Sequence, residues 1–282
     1  MKALTPSRRL YAKYRRGADL FLRTYKEHFP VFRLRDQRVV ASNFSFHESV
    51  LFRKAYLVAW VEEGAYRRAV PGVDALVTPI RISPESPLLP LILAPESRLA
   101  SPAETFLSIL EHEVVHVNQS ILGDYMPEFS ANRLSELFAC FNAYAKREYE
   151  ANFIQLVQWP SAEVRRSKVS MEQWILLRAY TPAIELVFRE AAGGRIRAGL
   201  VKRFLDDVPT RAPALLKHLG CSSDLTGWFQ ERWSVDVFMA LKILKQQGVD
   251  LGCAALRPAC QWVMCEAEKA RESVSSHQIA AR

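Results

Sequence analysis

Residues 101–122, SPAETFLSILEHEVVHVNQSIL, carry the start signal, the periodicity and the chemistry of one amphipathic helix. Ser101 suits the cap, Pro102 the first helical position, and Glu104 completes a capping box. Phe106, Leu107, Leu110, Val114, Val117 and Ile121 then recur at helical spacing, which predicts one apolar face. Within the helix lies His112-Glu113-Val114-Val115-His116, an HExxH motif. Residues four apart stand one above the other, so both imidazoles can aim at a single metal ion. Glu113 projects beside them, where a carboxylate can take a proton from metal-activated water. A plainer reading competes: so short a pattern arises by chance, and both histidines are then ordinary residues of a buried helix face. The context favours the metal. The motif sits in the interior of a capped helix, its valines bring no other charge, and a third ligand candidate follows.

Zinc needs that third protein ligand. The pattern HExxHxxGxxH is absent, because Gln119 and Leu122 occupy its later positions, and no histidine occurs between His116 and His218. An acidic residue is therefore expected, with Glu128, Glu136, Glu148 and Glu150 as competitors on or before the next predicted helix, 131–158. Leu134, Leu137 or Phe138, Phe141 and Ala145 trace its apolar stripe, which continues at about 3.6 residues per turn to Glu148 and Asn152. Glu150 lies about 200° round the helix from Glu148, and Glu136 falls off the stripe. A carboxylate on a buried stripe is costly unless something compensates it. A metal would do so, with Asn152 one turn on to steady the carboxylate. Pairing of Glu148 with Lys146, Arg147 or another cation at the surface is the alternative.

HEVVH followed by Arg147-Glu148-Tyr149-Glu150-Ala151-Asn152-Phe153 resembles the gluzincin branch of the zincin metallopeptidases. It is similar to the ImmA/IrrE-like group and, more distantly, to the HtpX-like group. The resemblance implies zinc on His112, His116 and Glu148 and Glu113 as general base. It implies hydrolysis of peptide bonds in a protein or peptide substrate. For the residue that stabilises the oxyanion, Tyr125, Tyr144, Tyr149 and His218 are candidates. His218 precedes Gly220, where a helix C-terminus favours a cation anyway.

The rest of the chain supplies bounds. Its 282 residues allow one large domain or two smaller ones. A division into a metallopeptidase core, 1–160, and a helical region, 161–282, competes with one continuous domain. No apolar run approaches the roughly 20 residues that span a bilayer. The N-terminus lacks the apolar core and small-residue cleavage site of a secretory signal, so a cytoplasmic location is expected. Five scattered cysteines without a C-x-x-C pair argue against a disulfide framework and a cysteine zinc site. Residues 1–38 hold eleven Lys/Arg against three Asp/Glu, which accounts for the whole net charge of +8. Interleaved with Tyr11, Tyr14, Phe21 and Tyr25, this segment suits nucleic acid or an anionic surface. The simpler expectation is an amphipathic helix, 7–27, with aromatics inward and arginines in water.

Further along, 38–42 is a short strand candidate and 46–70 reads as a second helix. Residues 74–82 and 88–94 have strand character, their prolines favouring edges or strand ends, and together they are the only convincing sheet material. An edge strand there is suited to binding an extended substrate. From Ser170 onward helix follows helix, with Thr181-Pro182 starting or kinking one and Ser234 opening another. The predicted class is α+β and mostly helical: a zincin-like core with a small sheet before the HExxH helix, then a helical C-terminal half. Two other functions stay open. One is a nucleic-acid-associated protein with a structural metal site; the other is a helical interaction module with a degenerate HExxH.

Overall fold

The computed structural model describes residues 4–25, 30–34, 37–83, 85–99, 104–124, 129, 131–158 and 169–280. The chain divides into two compact units, Met1–Tyr125 with Glu150–Arg166, and Met126–Tyr149 with Ser167–Arg282. The class is α+β, with a five-stranded sheet before the HExxH helix and a helical C-terminal half.

The sheet is larger than the proline-bearing runs alone suggest, and its centre comes from a stretch that reads as helix. Lys54–Val61 (KAYLVAWV) is β3, and from Ala55 onward every residue of it is buried. A strand covered on both faces loses the alternation that marks a half-exposed one, and its apolar run then resembles a buried helix. The expectation of one helix over 46–70 is thus overturned. Residues 46–49 end the long strand β2 (Gln37–Ser49), residues 50–53 turn the chain, and only Glu63–Ala69 is helical, as α2. Arg53 takes a positive φ of 50° to close that turn. The strand candidate at 38–42 belongs to β2, which bulges between Ala41 and Asn43.

With β1 (Val31–Leu34), β4 (Leu76–Ile80) and β5 (Leu89–Pro95), the strand order is β1-β2-β3-β5-β4. Only β3 and β5 run parallel. The proline rule holds in both its forms. Pro79 lies on the edge strand β4, and Pro90 lies at the start of β5, before the ladder to β3 begins at Ile92.

Among the described residues three helices pack on this sheet, one of them α2, with Tyr66 and Ala69 buried. In α1 (Arg8–Thr24), Ser7 caps the first turn by accepting from the Leu10 N–H, and Tyr14, Ala18 and Phe21 are buried. The Tyr11 hydroxyl donates to the Ala55 carbonyl at 2.8 Å, and the Tyr14 hydroxyl accepts from the Leu57 N–H at 2.9 Å. The aromatics of the basic segment therefore pack inward on β3. In α3 (Glu104–Ile121), Phe106, Leu110, Val114 and Val117 pack in the same core. Val115, on another face of α3, packs with Ala151 and Ile154. A helix apolar on more than one side belongs inside, and α3 is the interior helix of this unit. The capping box at Ser101 lies outside the described residues; Gly123, at φ 89°, follows the end of the helix.

The long helix α4 (Leu134–Gln158) crosses from one unit to the other between Tyr149 and Glu150 without a break. The second unit adds α5 (Met171–Ala192), α6 (Ala198–Leu219), α7 (Leu225–Gln246) and α8 (Arg257–Ala280). Ser170 and Gln173 form a full capping box on α5. Pro182 lies within α5 and starts no new helix, and α7 opens at Leu225, nine residues before Ser234. The last helix runs to Ala280. Tyr180, Phe204, Phe229 and Trp233 centre the core, with Phe229 stacked on Trp233 at 5.8 Å.

Candidate metal centre

Helical spacing brings the two histidines of α3 together. The Nε2 atoms of His112 and His116 are 3.1 Å apart, and the rings meet edge to face at 78°. Two nitrogens bound tetrahedrally to one zinc at about 2.0–2.1 Å are themselves about 3.3 Å apart, so this pair already has near-ligand spacing. From α4, Glu148 brings a carboxylate oxygen to the pair, and the three ligand atoms lie within 4.8 Å of one another. His116 is buried, whereas His112 and Glu148 are half-buried. Two imidazoles and one carboxylate are a donor set that zinc favours.

The competing glutamates have other partners. Glu136 accepts from the backbone N–H groups of Asn132 and Arg133, at 2.9 and 3.1 Å, and so serves the start of α4. Glu150 accepts from the Gln119 side chain at 2.9 Å. Glu128 lies outside the described residues. Asn152 is buried one turn beyond Glu148.

Glu113 is 7 % exposed. Its charge reaches Tyr66 of α2, whose phenol is held well above its ordinary pKa, first by burial and then by Glu113. Tyr66 remains a neutral donor, directed at the Leu93 carbonyl. Around the motif α3 buries an unusual number of polar groups, each tied to the rest of the unit. Glu111 accepts from Ser49 Oγ at 2.7 Å and from the Val50 N–H at 2.9 Å, and faces His47 Nε2 at 3.0 Å. Asn118 accepts from the Tyr56 hydroxyl at 2.8 Å, and Ser108 from Gln155 at 2.9 Å. These bonds fix the rotation of α3 about its axis, and with it the direction in which His112 and His116 point.

Of the oxyanion candidates, Tyr125 lies outside the described residues. Tyr149 is hydrogen-bonded with Cys221, and its phenol is raised mainly by burial. His218 is exposed in the last turn of α6 before Gly220, as its position predicts. Tyr144 packs against the helical core. Three residues near the motif lie beyond the sequence reading: Tyr66, Gln119 as a partner of His116, and Glu150 as a partner of Gln119. Gln119 stands three residues after His116 and is open to detection by helical spacing alone. The other two come from distant segments and carry no signal.

Among the described residues, no helix is long and apolar enough to cross a membrane. No known protein family, curated protein or solved structure matches the chain.

Proposed function

We propose that this chain is a zinc-dependent peptidase, with His112, His116 and Glu148 as metal ligands and Glu113 as general base. The observation that carries the reading is the convergence of three donors from two helices, within 4.8 Å, beside the Glu of an HExxH motif. Zinc held by such a set would supply a bound water whose pKa is lowered toward about 7 and a Lewis acid for the substrate carbonyl. Glu113 takes the proton of the attacking water on its carboxylate and passes it to the departing amine. The 3.1 Å between the Nε2 atoms of His112 and His116 is also a spacing at which the two rings could share one ion. β4 is one of the two edges of the sheet, the kind of strand along which an extended peptide can pair.

The test is zinc content by elemental mass spectrometry, together with cleavage of a protein substrate such as casein. About one zinc per chain is expected in the wild type. Loss of that zinc in His116→Ala and Glu148→Ala, and retention with loss of cleavage in Glu113→Gln, complete the expectation. A wild type that takes up no zinc after reconstitution refutes the metal set. Cleavage that survives Glu113→Gln refutes the base.

A further inference from the structure

The hydrogen bonds behind His116 form a chain whose direction is set at its far end. His116 Nδ1 lies 2.8 Å from Gln119 Oε1, and Gln119 Nε2 lies 2.9 Å from Glu150 Oε2. Gln119 is buried at 1 % exposure. An amide side chain by itself can point either way, offering His116 an oxygen that accepts or a nitrogen that donates. A carboxylate leaves no such freedom: it only accepts, so the Gln119 nitrogen must face Glu150 and the oxygen must face His116. His116 Nδ1 must then carry a proton, and a neutral ring protonated at Nδ1 has its lone pair on Nε2. Nε2 is the atom that faces His112.

We propose that Gln119 and Glu150 are positioning residues that hold His116 in its Nδ1–H tautomer, so that Nε2 is a ready metal ligand before any metal arrives. Glu150 thereby has a role in the centre without being a ligand. A histidine ligand free to adopt either tautomer spends part of its time protonated on the ligating nitrogen; the relay removes that state at His116, so that only the proton on His112 Nε2 has to leave when a metal binds. The same constraint sets the partner ring. In the metal-free chain, His112 is the donor across the 3.1 Å gap, so the two histidines hold opposite tautomers. All members of the relay belong to the first unit, with His116 and Gln119 one turn apart on α3 and Glu150 on α4. The proposal rests on the metallopeptidase reading for its purpose, but not for its geometry.

The test therefore begins without metal. In the 15N-labelled, chelator-treated chain at pH 8, long-range 1H–15N correlation spectra report which ring nitrogen carries the proton. His116 is assigned through the signals lost in His116→Asn. The wild type is expected to show Nδ1–H at His116. Glu150→Gln frees the Gln119 amide to turn and is expected to give a mixture of tautomers. The exchange Gln119→Glu with Glu150→Gln restores the polarity, because the new carboxylate at position 119 accepts from both neighbours, and is expected to restore Nδ1–H. Zinc dissociation constants from chelator competition should follow the same order. Gln119→Leu should weaken binding about ten- to a hundredfold, and the exchange should recover toward wild type. Nε2–H at His116 in the wild type, or one tautomer unchanged in all variants, overturns the relay. Should the tautomers behave as described while no form binds zinc, the relay stands and the peptidase reading falls.

Discussion

Replacing Glu111 with leucine tests whether α3 is held in rotation by buried polar bonds or merely by its apolar faces. Glu111 is 1 % exposed and precedes His112. Its carboxylate receives Ser49 Oγ at 2.7 Å and the Val50 N–H at 2.9 Å, and faces His47 at 3.0 Å. All three belong to the end of β2 and the turn after it. Leucine fills similar space but accepts nothing. The Ser49 hydroxyl is buried and loses its acceptor outright, which costs about 1–3 kcal/mol. The Val50 N–H and His47 lie part-way to the surface and recover some hydration, adding about 1 kcal/mol together. A net loss of about 2–4 kcal/mol follows for Glu111→Leu. Glu111→Gln should cost about 1–2 kcal/mol, because the amide keeps an oxygen for Val50 and turns a nitrogen toward Ser49.

Native-state hydrogen exchange of the β3 peptide, Lys54–Val61, reads this unit without interference from the helical one. At about 1.4 kcal/mol per tenfold, Glu111→Leu should lower protection of β3 by about two orders of magnitude and Glu111→Gln by about one. Unchanged protection in Glu111→Leu would refute the idea that these bonds hold α3. Equal losses in both variants would show that the charge, and not the number of acceptors, matters.

Three further outcomes are expected. Tyr56→Phe removes the donor to Asn118, a fully buried amide whose nitrogen already lacks a partner among the described residues. Its cost of about 1–2 kcal/mol should appear in the same exchange experiment, and no change would show that the bond is dispensable. Asp236 is buried against Tyr180 and Arg232, and burial holds its carboxyl above the ordinary range. Because its folded pKa is raised, its contribution is complete below the unfolded value of about 4 and is lost as pH rises through the folded value. Urea unfolding followed by tryptophan fluorescence should thus show wild type losing ground to Asp236→Asn between pH 4 and 7; a constant gap refutes this. Burial, opposed by the Tyr149 hydrogen bond and helped by Glu172, raises the Cys221 thiol from 9.0 to about 11, which cuts its thiolate at pH 8 about a hundredfold. Iodoacetamide at that pH should label exposed Cys265 well before Cys221, as peptide mapping will show, and simultaneous labelling would contradict the burial.

Much of the chain is legible from local chemistry. The periodicity of 101–122, the stripe from Leu134 to Asn152, the capping residue Ser170 and the helix end before Gly220 each depend on neighbours within one or two turns. That is the range over which sequence spacing specifies contact. The same arithmetic puts His112 over His116 and separates Glu148 from Glu150. It fails at β3, where burial on both faces erases the strand period. It also fails wherever function passes between segments distant in sequence.

Sequence alone therefore determined that residues 101–122 form a helix with one apolar face that carries two histidines and a glutamate, and that a carboxylate continues the apolar stripe of α4. Only the tertiary structure decided that a central strand replaces a helix at 54–61, and that Glu111, Asn118 and Ser108 fix the rotation of α3. It also decided that Glu150 dictates the orientation of Gln119 behind His116. The physical reason is the same in each case. A helix or turn is specified by hydrogen bonds a few residues long, whereas strand pairing and buried polar bonds join residues whose separation along the chain carries no period to read.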